Sequence, residues 1–444
     1  MMRYMKQNSL GYASKCRLYG SIQQIFAPCA TTDAGPAPQE AGGARAKPLL
    51  ANSAYQVRII RQAASLPSDW DGLLAGHQLP MSQAYLAALE QCAPADLGFA
   101  YLLFYRAGQA VGLASFQLME FRAGQHLQVL QQSAPAPWGR RAWQVLKRGL
   151  ASRLRAKLII CGAAQFTGPY GFAFDERQVS PSRQASLLDE GIGVLAQQLS
   201  EQGWQPDGVL IKDFDQRQLD ALQPGLAAQG YATCAFQPNM VLPLRPEWAS
   251  FDDYLAAMSS KYRVRARRAF KKAAQIACVE LEEENILRHL PQLHELYESV
   301  AASSEFNLIN LPADYFLRLK KALPDEFRLF AYFREQTLIG FFTTLRNGTE
   351  MEAHFMGFQP AENRERQLYL NMLYEIVRLA IEEEKASKIS FARTAMEIKS
   401  SVGAVPEQAY CGIRHFSRSY NRIIPLLVDY LAPSSEWRQR RPFG

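Results

Sequence analysis

One pattern occurs twice in this chain at a constant offset. Residues 99–112 read FAYLLFYRAGQAVG, and residues 327–340 read FRLFAYFREQTLIG, 228 positions later (327 minus 99) and without a gap. Each stretch predicts two apolar strands joined by a turn. Chance likeness between two such elements is the alternative, but similar elements surround both copies in the same order. The repeat therefore predicts an internal duplication.

The elements around the repeat predict α/β (α+β) architecture with two tandem domains. Periodicity and turn residues predict strands at 56–60, 158–163, 208–214, 351–358, 388–393 and 413–418. They predict helices at 82–93, 185–203 and 368–384. Prolines flank Arg245 before an acidic helix start, which predicts domains at 55–245 and 246–444.

The first 54 residues are expected to form a flexible tail, because 27–48 is rich in Ala, Gly and Pro. Residues 1–32 carry basic but no acidic side chains, which is a faint feature of transit peptides. An untidy or mis-assigned start is the plainer interpretation. No apolar run approaches the roughly 18–20 residues of a membrane span. The cytoplasm is therefore the expected location.

Charge and cysteine content exclude several classes of protein. The net charge of +7, from 49 basic and 42 acidic residues among 444, is too mild for a dedicated nucleic-acid binder. The seven cysteines include no CxxC pair, and the six histidines form no HxxxH or HExxH pattern. We expect no disulfide framework, a reducing compartment and no metal.

The most basic segment is MSSKYRVRARRAFKKA at 258–273, in which seven of the twelve residues from Lys261 to Lys272 are Lys or Arg. At helical spacing Lys261, Arg265, Arg268 and Lys272 share one face, which predicts an anion-binding helix. The alternative is a solvated face balanced by the acidic run LEEEN at 281–285.

A second segment, RTAMEIKSSVGA at 393–404, follows a predicted strand. Its charged residues Arg393 and Lys399 are candidates for holding donor phosphate, and Lys399 is also a candidate for a substrate carboxylate. The plainer interpretation is that Arg393 pairs with Glu397 within a loop.

With these segments, 251–431 resembles the acetyltransferases of the GNAT superfamily, specifically the BioF2-like and FemAB-like branch with tandem GNAT-type domains. The resemblance is weaker over 55–250. It implies two tandem GNAT-like domains, each with a mixed, largely antiparallel sheet flanked by helices. It implies transfer of an acyl group from acyl-CoA to an amine. It also implies an R/Q-x-x-G-x-G/A loop at a helix N-terminus that binds pyrophosphate. The corresponding stretch, GFQPAENRERQLYLN at 357–371, lacks that glycine pattern and has Arg364 and Arg366 instead. FemAB-like proteins use aminoacyl-tRNA, so that donor stays open.

Transfer to an amine needs a base that removes its proton. Glu352 and His354 alternate on the strand MEAHFMGF and are candidates for that role, although they also suit the polar face of an edge-like strand. Tyr369 is a candidate proton donor to a departing thiolate, or a core residue. The Gly/Pro loop QFTGPYGF at 165–172 is a substrate loop or an ordinary turn. No Ser or Cys lies in a recognisable nucleophile elbow, which favours direct transfer.

Three functions fit the sequence. The first is an N-acyltransferase that uses acyl-CoA, with a small-molecule or cell-envelope amine as acceptor. The second is FemAB-like amino-acid transfer from aminoacyl-tRNA in cell-envelope biosynthesis, although the proline-broken 286–325 stretch is short for the helical arm of that type. The third is a non-catalytic binding module of the same fold.

Overall fold

A computed structural model describes residues 47–48, 54–74, 78–94, 96–122, 155–302, 309–425 and 437–443. Within these residues one continuous sheet of 14 strands runs through the molecule. The strands are β1 Lys47–Pro48, β2 Tyr55–Ile60, β3 Gly98–Arg106, β4 Gln109–Arg122, β5 Arg155–Cys161, β6 Phe172–Phe174, β7 Gly208–Phe214, β8 Ala232–Pro243, β9 Ile276–Glu280, β10 Phe327–Arg334, β11 Thr337–Asn347, β12 Glu350–Phe358, β13 Lys388–Ser390 and β14 Val405–His415.

Helices cover both faces of this sheet. The α-helices are Asp69–Gly72, Gln83–Gln91, Pro181–Glu201, Gln216–Ala228, Phe251–Ala257, Ser260–Lys272, Glu283–Arg288, Leu290–Ala301, Tyr315–Ala322, Pro360–Arg366, Leu368–Glu382, Met396–Ser401 and Arg418–Asn421, with 3-10 turns at Ala63–Ser65 and Leu79–Met81. Because helices lie on both faces, β3 and β4 are continuous buried runs rather than alternating ones.

The two predicted hairpins have the same backbone irregularities. The β3–β4 ladder shifts register between Phe104 and Tyr105, and the β10–β11 ladder shifts between Tyr332 and Phe333. Ala107 and Glu335 both adopt left-handed conformations, with φ of 50° and 58°. All these positions are related by the offset of 228 seen in the sequence. The structure thus supports the predicted duplication down to the conformation of single residues.

The two halves exchange their last strands. The sheet order is β1-β2-β3-β4-β5-β7-β14-β8-β13-β12-β11-β10-β9, and β6 pairs with β4. β14 of the second half lies between β7 and β8 of the first half, while β8 pairs with β13 of the second. Each half therefore completes its sheet with a strand from the other.

Three apolar cores follow from this arrangement. One lies under Pro181–Glu201 and Gln216–Ala228 in the first half, and one under Ser260–Lys272 and Leu368–Glu382 in the second. The third contains side chains of both halves, with Tyr85 and Tyr315 at its centre. The halves therefore share a core as well as a sheet.

Some element boundaries differ from the sequence predictions. The predicted helix at 185–203 begins at Pro181, because proline at the first helical turn loses no hydrogen bond. The predicted strand at 388–393 ends at Ser390, and the one at 413–418 is the end of the longer Val405–His415. Lys47–Pro48 pairs with β2, inside the predicted tail, while the other residues before Ala54 lie outside the described residues. The domain boundary near residue 245 stays a prediction.

Candidate active site between the two halves

Glu352 lies at the junction of the two halves. It is on β12, opposite Ser390 of β13, and only 4% exposed. The hydroxyl of Tyr170, from the first half, donates to Glu352 Oε1 at 2.7 Å, and Ser390 provides a second hydrogen bond. Burial raises the pKa of Glu352 to about 7, while these two hydrogen bonds oppose the increase. A carboxyl with this pKa can accept a proton near neutral pH.

Tyr170 belongs to residues 165–172, which we call the crossing loop because they pass from the first half onto β12. Gly168 has φ +148°, and a Cβ there would lie 2.6 Å from the Tyr170 ring, so the loop needs glycine at this position. The side-chain amide of Asn347 donates to the Tyr170 hydroxyl at 3.0 Å and accepts from the backbone N–H of Leu79 at 2.9 Å. The Tyr170–Glu352 contact is therefore supported from both halves.

His354 lies on the same side of β12 and is covered by the same loop. The ring of Phe166 stacks on it at 4.6 Å. His354 Nε2 is 2.8 Å from the hydroxyl of Tyr315, which lies 3.3 Å from that of Tyr85. Burial lowers the pKa of His354 to about 3, so its ring is neutral at physiological pH. The predicted Glu352–His354 pair thus lies on one side of β12, where Glu352 is buried and His354 is partly buried under the crossing loop.

A second buried group, Lys212, Asp213 and Arg393, which we call the ion-pair cluster, lies beside the crossing loop. The carboxylate of Asp213 forms ion pairs with Lys212 Nζ, at 2.5 Å, and with the Arg393 guanidinium. Lys212 also donates to the carbonyls of Ala163 and Phe166, at 2.9 and 2.7 Å. Burial alone would raise the pKa of Asp213, but these two cations hold it below its usual value. The cluster therefore joins the crossing loop to the second half by charge.

This geometry weighs against the predicted roles of Arg393 and Lys399 in binding donor phosphate. Arg393 is occupied by Asp213 and by the carbonyl of Gln237, while Glu397 pairs with Arg440 instead. Lys399 is 4% exposed and donates to the Arg393 carbonyl at 2.6 Å. Burial lowers the pKa of Lys399 to about 7.

Lys399 instead supports an unusual loop. Ala392, Thr394 and Ala395 have φ of 57°, 68° and 45°. Non-glycine residues in this region cost energy and persist only when the surroundings hold them. Since Lys399 also donates to the Ala392 carbonyl at 3.3 Å, its ammonium holds the strained segment in place.

The helix start after β12, where the resemblance implies a pyrophosphate loop, is capped by the chain itself. A helical turn, Pro360–Arg366, precedes it, and Gln367 is left-handed with φ 54°. The side chain of Asn363 accepts the Tyr369 N–H at 2.9 Å. Asn371 Nδ2 donates to the carbonyls of Arg366 and Gln367, at 3.2 and 3.0 Å.

The predicted side chains around this helix start have different surroundings. Arg366 pairs with Glu362 at 2.9 Å, whereas Arg364 is exposed and forms no ion pair among the described residues. The ring of Tyr369 packs on Phe358 at 5.7 Å, and burial raises its pKa. Phe358 lies six residues along β12 from Glu352, roughly 20 Å at 3.3 Å per residue. Tyr369 and Glu352 therefore do not share one reacting centre.

The predicted basic helix is Ser260–Lys272, and only its small residues Ala266 and Ala269 are buried. The acidic run that could balance it is used elsewhere, because Glu282, Glu283 and Glu284 pair with Lys320, Lys321 and Arg288. Six exposed cations of this helix form no ion pair within the described part of the chain: Lys261, Arg265, Arg267, Arg268, Lys271 and Lys272.

This helix lies beside the capped helix start, since Asn371 Nδ2 also donates to the Ala269 carbonyl at 3.2 Å. Arg364 and the six cations are therefore on neighbouring elements.

Sequence reasoning missed Lys212, Asp213 and Asn347. The adjacent charges in GVLIKDF were a usable signal, because a buried strand that ends in Lys-Asp must satisfy at least one of the two charges. Nothing local marks Asn347, whose partners lie 177 and 268 residues away in the sequence.

Residues 260–400 match the family model described as Acetyltransferase (GNAT) domain. Over this region the chain is similar to a GNAT acetyltransferase domain. The match confirms the GNAT part of the predicted resemblance, and with it the acyltransferase class, for the region that holds Glu352, His354 and the basic helix. No curated protein matches the chain.

Several solved structures align with most of this chain, each at low similarity. FemX is 12% identical, covers 79% of this chain and 94% of its own, and has a TM-score of 0.47. A tandem GNAT protein from the clavulanic acid biosynthesis pathway is 11% identical over 81% of this chain and 98% of its own, with a TM-score of 0.44. L-PGS from Bacillus licheniformis is 10% identical over the same shares, with a TM-score of 0.42. Values this low say nothing about the reaction.

Two further properties concern metals and membranes. Across the described ranges, no three His, Cys, Asp or Glu side chains come together in a way that could hold a metal ion. None of the described helices is both long and apolar enough to cross a bilayer.

Proposed function

We propose that this chain is an N-acyltransferase that moves an acyl group, acetyl in the simplest case, from acyl-CoA to an amine bound between its two halves. The observation that carries the proposal is Glu352, a buried carboxyl with pKa about 7 where both halves meet within a GNAT domain. In this role Glu352 takes a proton from the acceptor amine, which then attacks the thioester carbonyl directly. Positioning of the two substrates supplies much of the rate.

Access to Glu352 requires the crossing loop to move. Tyr170 and Phe166 cover Glu352 and His354 in the structure, so an acceptor amine must displace part of this loop. Exclusion of water by the returning loop would protect the thioester from hydrolysis.

The donor's phosphates are placed by this proposal at Arg364 and the basic helix, with Lys261, Arg265 and Arg268 as the central contacts. This assignment replaces the glycine loop, whose position is capped by Asn363. Arg366, Arg393 and Lys399 are left with structural roles, since each is satisfied within the protein.

A second candidate is transfer from aminoacyl-tRNA within cell-envelope biosynthesis, as the FemAB-like resemblance implies. The observation that favours it is the number of cations on the basic helix that form no ion pair with the residues the structure describes. Thirteen residues span about 20 Å, which is more cationic surface than one pyrophosphate occupies. A nucleic-acid backbone would use all of it.

Thermal shift of the full chain distinguishes the donors. A ligand that binds only the folded state adds about 2.7 kcal/mol at a hundredfold excess over its dissociation constant. We expect acetyl-CoA or a longer acyl-CoA to raise the melting temperature and deacylated tRNA to have no effect. A response to tRNA alone would replace the first candidate by the second. No response to any of them would contradict both and leave the binding module.

An activity assay then tests the base. Release of free CoA thiol is followed with amino sugars, lysine and short peptides as acceptors. The wild type should release thiol with at least one amine, and Glu352→Gln should release it at least about 100-fold more slowly. Equal turnover by the two proteins would remove Glu352 from the mechanism.

A further inference from the structure

Two cysteines from opposite halves face each other in the sheet. Cys234 of β8 is the direct antiparallel partner of Cys411 of β14. The two residues are 177 positions apart in the sequence (411 minus 234). They meet because β14 is the strand that the second half inserts between β7 and β8. Among the described cysteines, this is the pair that the register places side by side.

The geometry of such a pair is close to that of a disulfide. Directly opposed residues of antiparallel strands have Cα atoms about 4.5–5.5 Å apart and side chains on the same face. A disulfide needs Cα atoms about 4.4–6.8 Å apart and Cβ atoms about 3.5–4.5 Å apart. The bond therefore requires at most a small local approach of the two strands. Both residues are thiols in this structure.

The two thiols differ in solvent exposure, and this difference sets the order in which they react. Cys234 is partly exposed, whereas Cys411 is 5% exposed. Cys411 lies opposite a bulge in β7, and the backbone N–H of Asp213 donates to its sulfur. A small disulfide can therefore reach Cys234 first, and Cys411 is already in place to resolve the product.

The pair also adjoins the ion-pair cluster. Phe236, two residues from Cys234 and so on the same face of β8, has the Arg393 guanidinium 4.9 Å from its ring centre. Asp213, the anion of that cluster, contacts Cys411. A bond between the cysteines would thus link the exchanged strand to the group that joins the two halves by charge.

We propose that Cys234 and Cys411 are a reversible disulfide site that covalently joins the exchanged strand of the second half to the first half. In the first step the Cys234 thiolate attacks a small-molecule disulfide RSSR, and one RS⁻ leaves. In the second step Cys411, after losing its proton, attacks the Cys234 sulfur, and the second RS⁻ leaves. Two protein thiols are oxidised, RSSR is reduced to two RSH, and both protons go to these products.

Oxidised glutathione is a suitable probe on the full-length protein. A non-reducing tryptic map should show the peptide 218–261, which holds Cys234, bonded to 400–414, which holds Cys411. The melting temperature of the oxidised protein should rise by at least about 2 °C and return to its first value with dithiothreitol. Cys234→Ser should lack both effects, whereas Cys278→Ser, a change at an exposed cysteine on β9, should keep both.

Two results would overturn the proposal. In the first, Cys234 forms a mixed disulfide with glutathione, but the peptide linked to Cys411 is not found. The other is a linked peptide whose formation lowers or does not change the melting temperature, which would mean that the bond forms only in a distorted chain. Both readouts are independent of acyl transfer, so they stand whether or not the proposed function holds.

Discussion

Glu352 is the residue on which the proposed reaction depends. Because its carboxyl accepts the amine proton in the proposed reaction, Glu352→Gln should lower kcat/KM about 100-fold or more.

In the wild type, kcat/KM should rise with pH through about 7, where Glu352 ionises. Tyr170→Phe removes a hydrogen bond that stabilises the charged carboxylate. In this variant the rise of kcat/KM should therefore occur at higher pH. If the rise occurs at the same pH as in the wild type, Glu352 is not the group that titrates.

The same carboxyl makes stability depend on pH. Burial raises the pKa of Glu352 from 4.5 to about 7, so the folded state keeps a proton that the unfolded chain has lost. Glu352 therefore costs stability as pH rises through this window, up to about 3 kcal/mol. The pKa of His354, lowered from 6.5 to about 3, acts with the opposite sign at lower pH.

Comparison with Glu352→Gln isolates the Glu352 contribution. The free energy of unfolding of this variant relative to wild type should increase between pH 5 and pH 8, as measured by urea denaturation. A difference that is the same at both pH values would show that Glu352 is not buried as described.

Gly168 sets the position of Tyr170. In Gly168→Ala the new Cβ would lie 2.6 Å from the Tyr170 ring, at a φ that side chains rarely adopt. We expect a loss of roughly 1–3 kcal/mol of stability and the pH profile of Tyr170→Phe. Gly193→Ala is the matched control, because a Cβ there meets nothing within 4 Å in the Pro181–Glu201 helix. That control should be neutral or stabilising by up to about 1 kcal/mol.

At the scale of elements, the basic helix is the proposed binding surface for the donor. Replacing Lys261, Arg265 and Arg268 by Gln should weaken donor binding while leaving the melting temperature unchanged, since these side chains are exposed. If the donor is tRNA, the salt dependence of binding should also fall, by roughly 2–3 units of slope.

The matched control removes three other exposed cations whose charges are already paired, Arg217, Arg288 and Lys321. Their loss should leave donor binding intact. Equal weakening in both triple variants would indicate a general charge effect rather than a site on the helix.

At the scale of the whole molecule, the exchanged strands make the two halves interdependent. Residues 55–245 and 246–444 can be produced as two separate chains. Each chain then keeps a strand that pairs with the other half in the full-length protein, and each exposes part of the shared core. Neither should unfold cooperatively alone, and mixing or co-expression should restore one complex. Calorimetry and size-exclusion chromatography measure this. A sharp transition from one half alone would show that its sheet is complete without exchange.

The sequence predicted those features that depend on residues close together in the chain. The hairpins at offset 228 were visible because apolar runs and turn residues repeat, and even their left-handed positions coincide. The basic helix was visible because its charges recur within thirteen residues. The GNAT resemblance came from the same stretch that the family model matches.

The sequence could not show which strands of the two halves pair with each other. Its hydrophobic periodicity, turn chemistry and clustered charges determined the duplicated α/β architecture and the exposed cationic helix, and its resemblance to GNAT acetyltransferases indicated the acyltransferase class. Only the tertiary structure decided that Tyr170 meets Glu352 and Arg393 meets Asp213, 182 and 180 residues apart. It also decided that Cys234 faces Cys411. The physical reason is that strand order is set by which edges pair, and here each half pairs its open edge with a strand of the other.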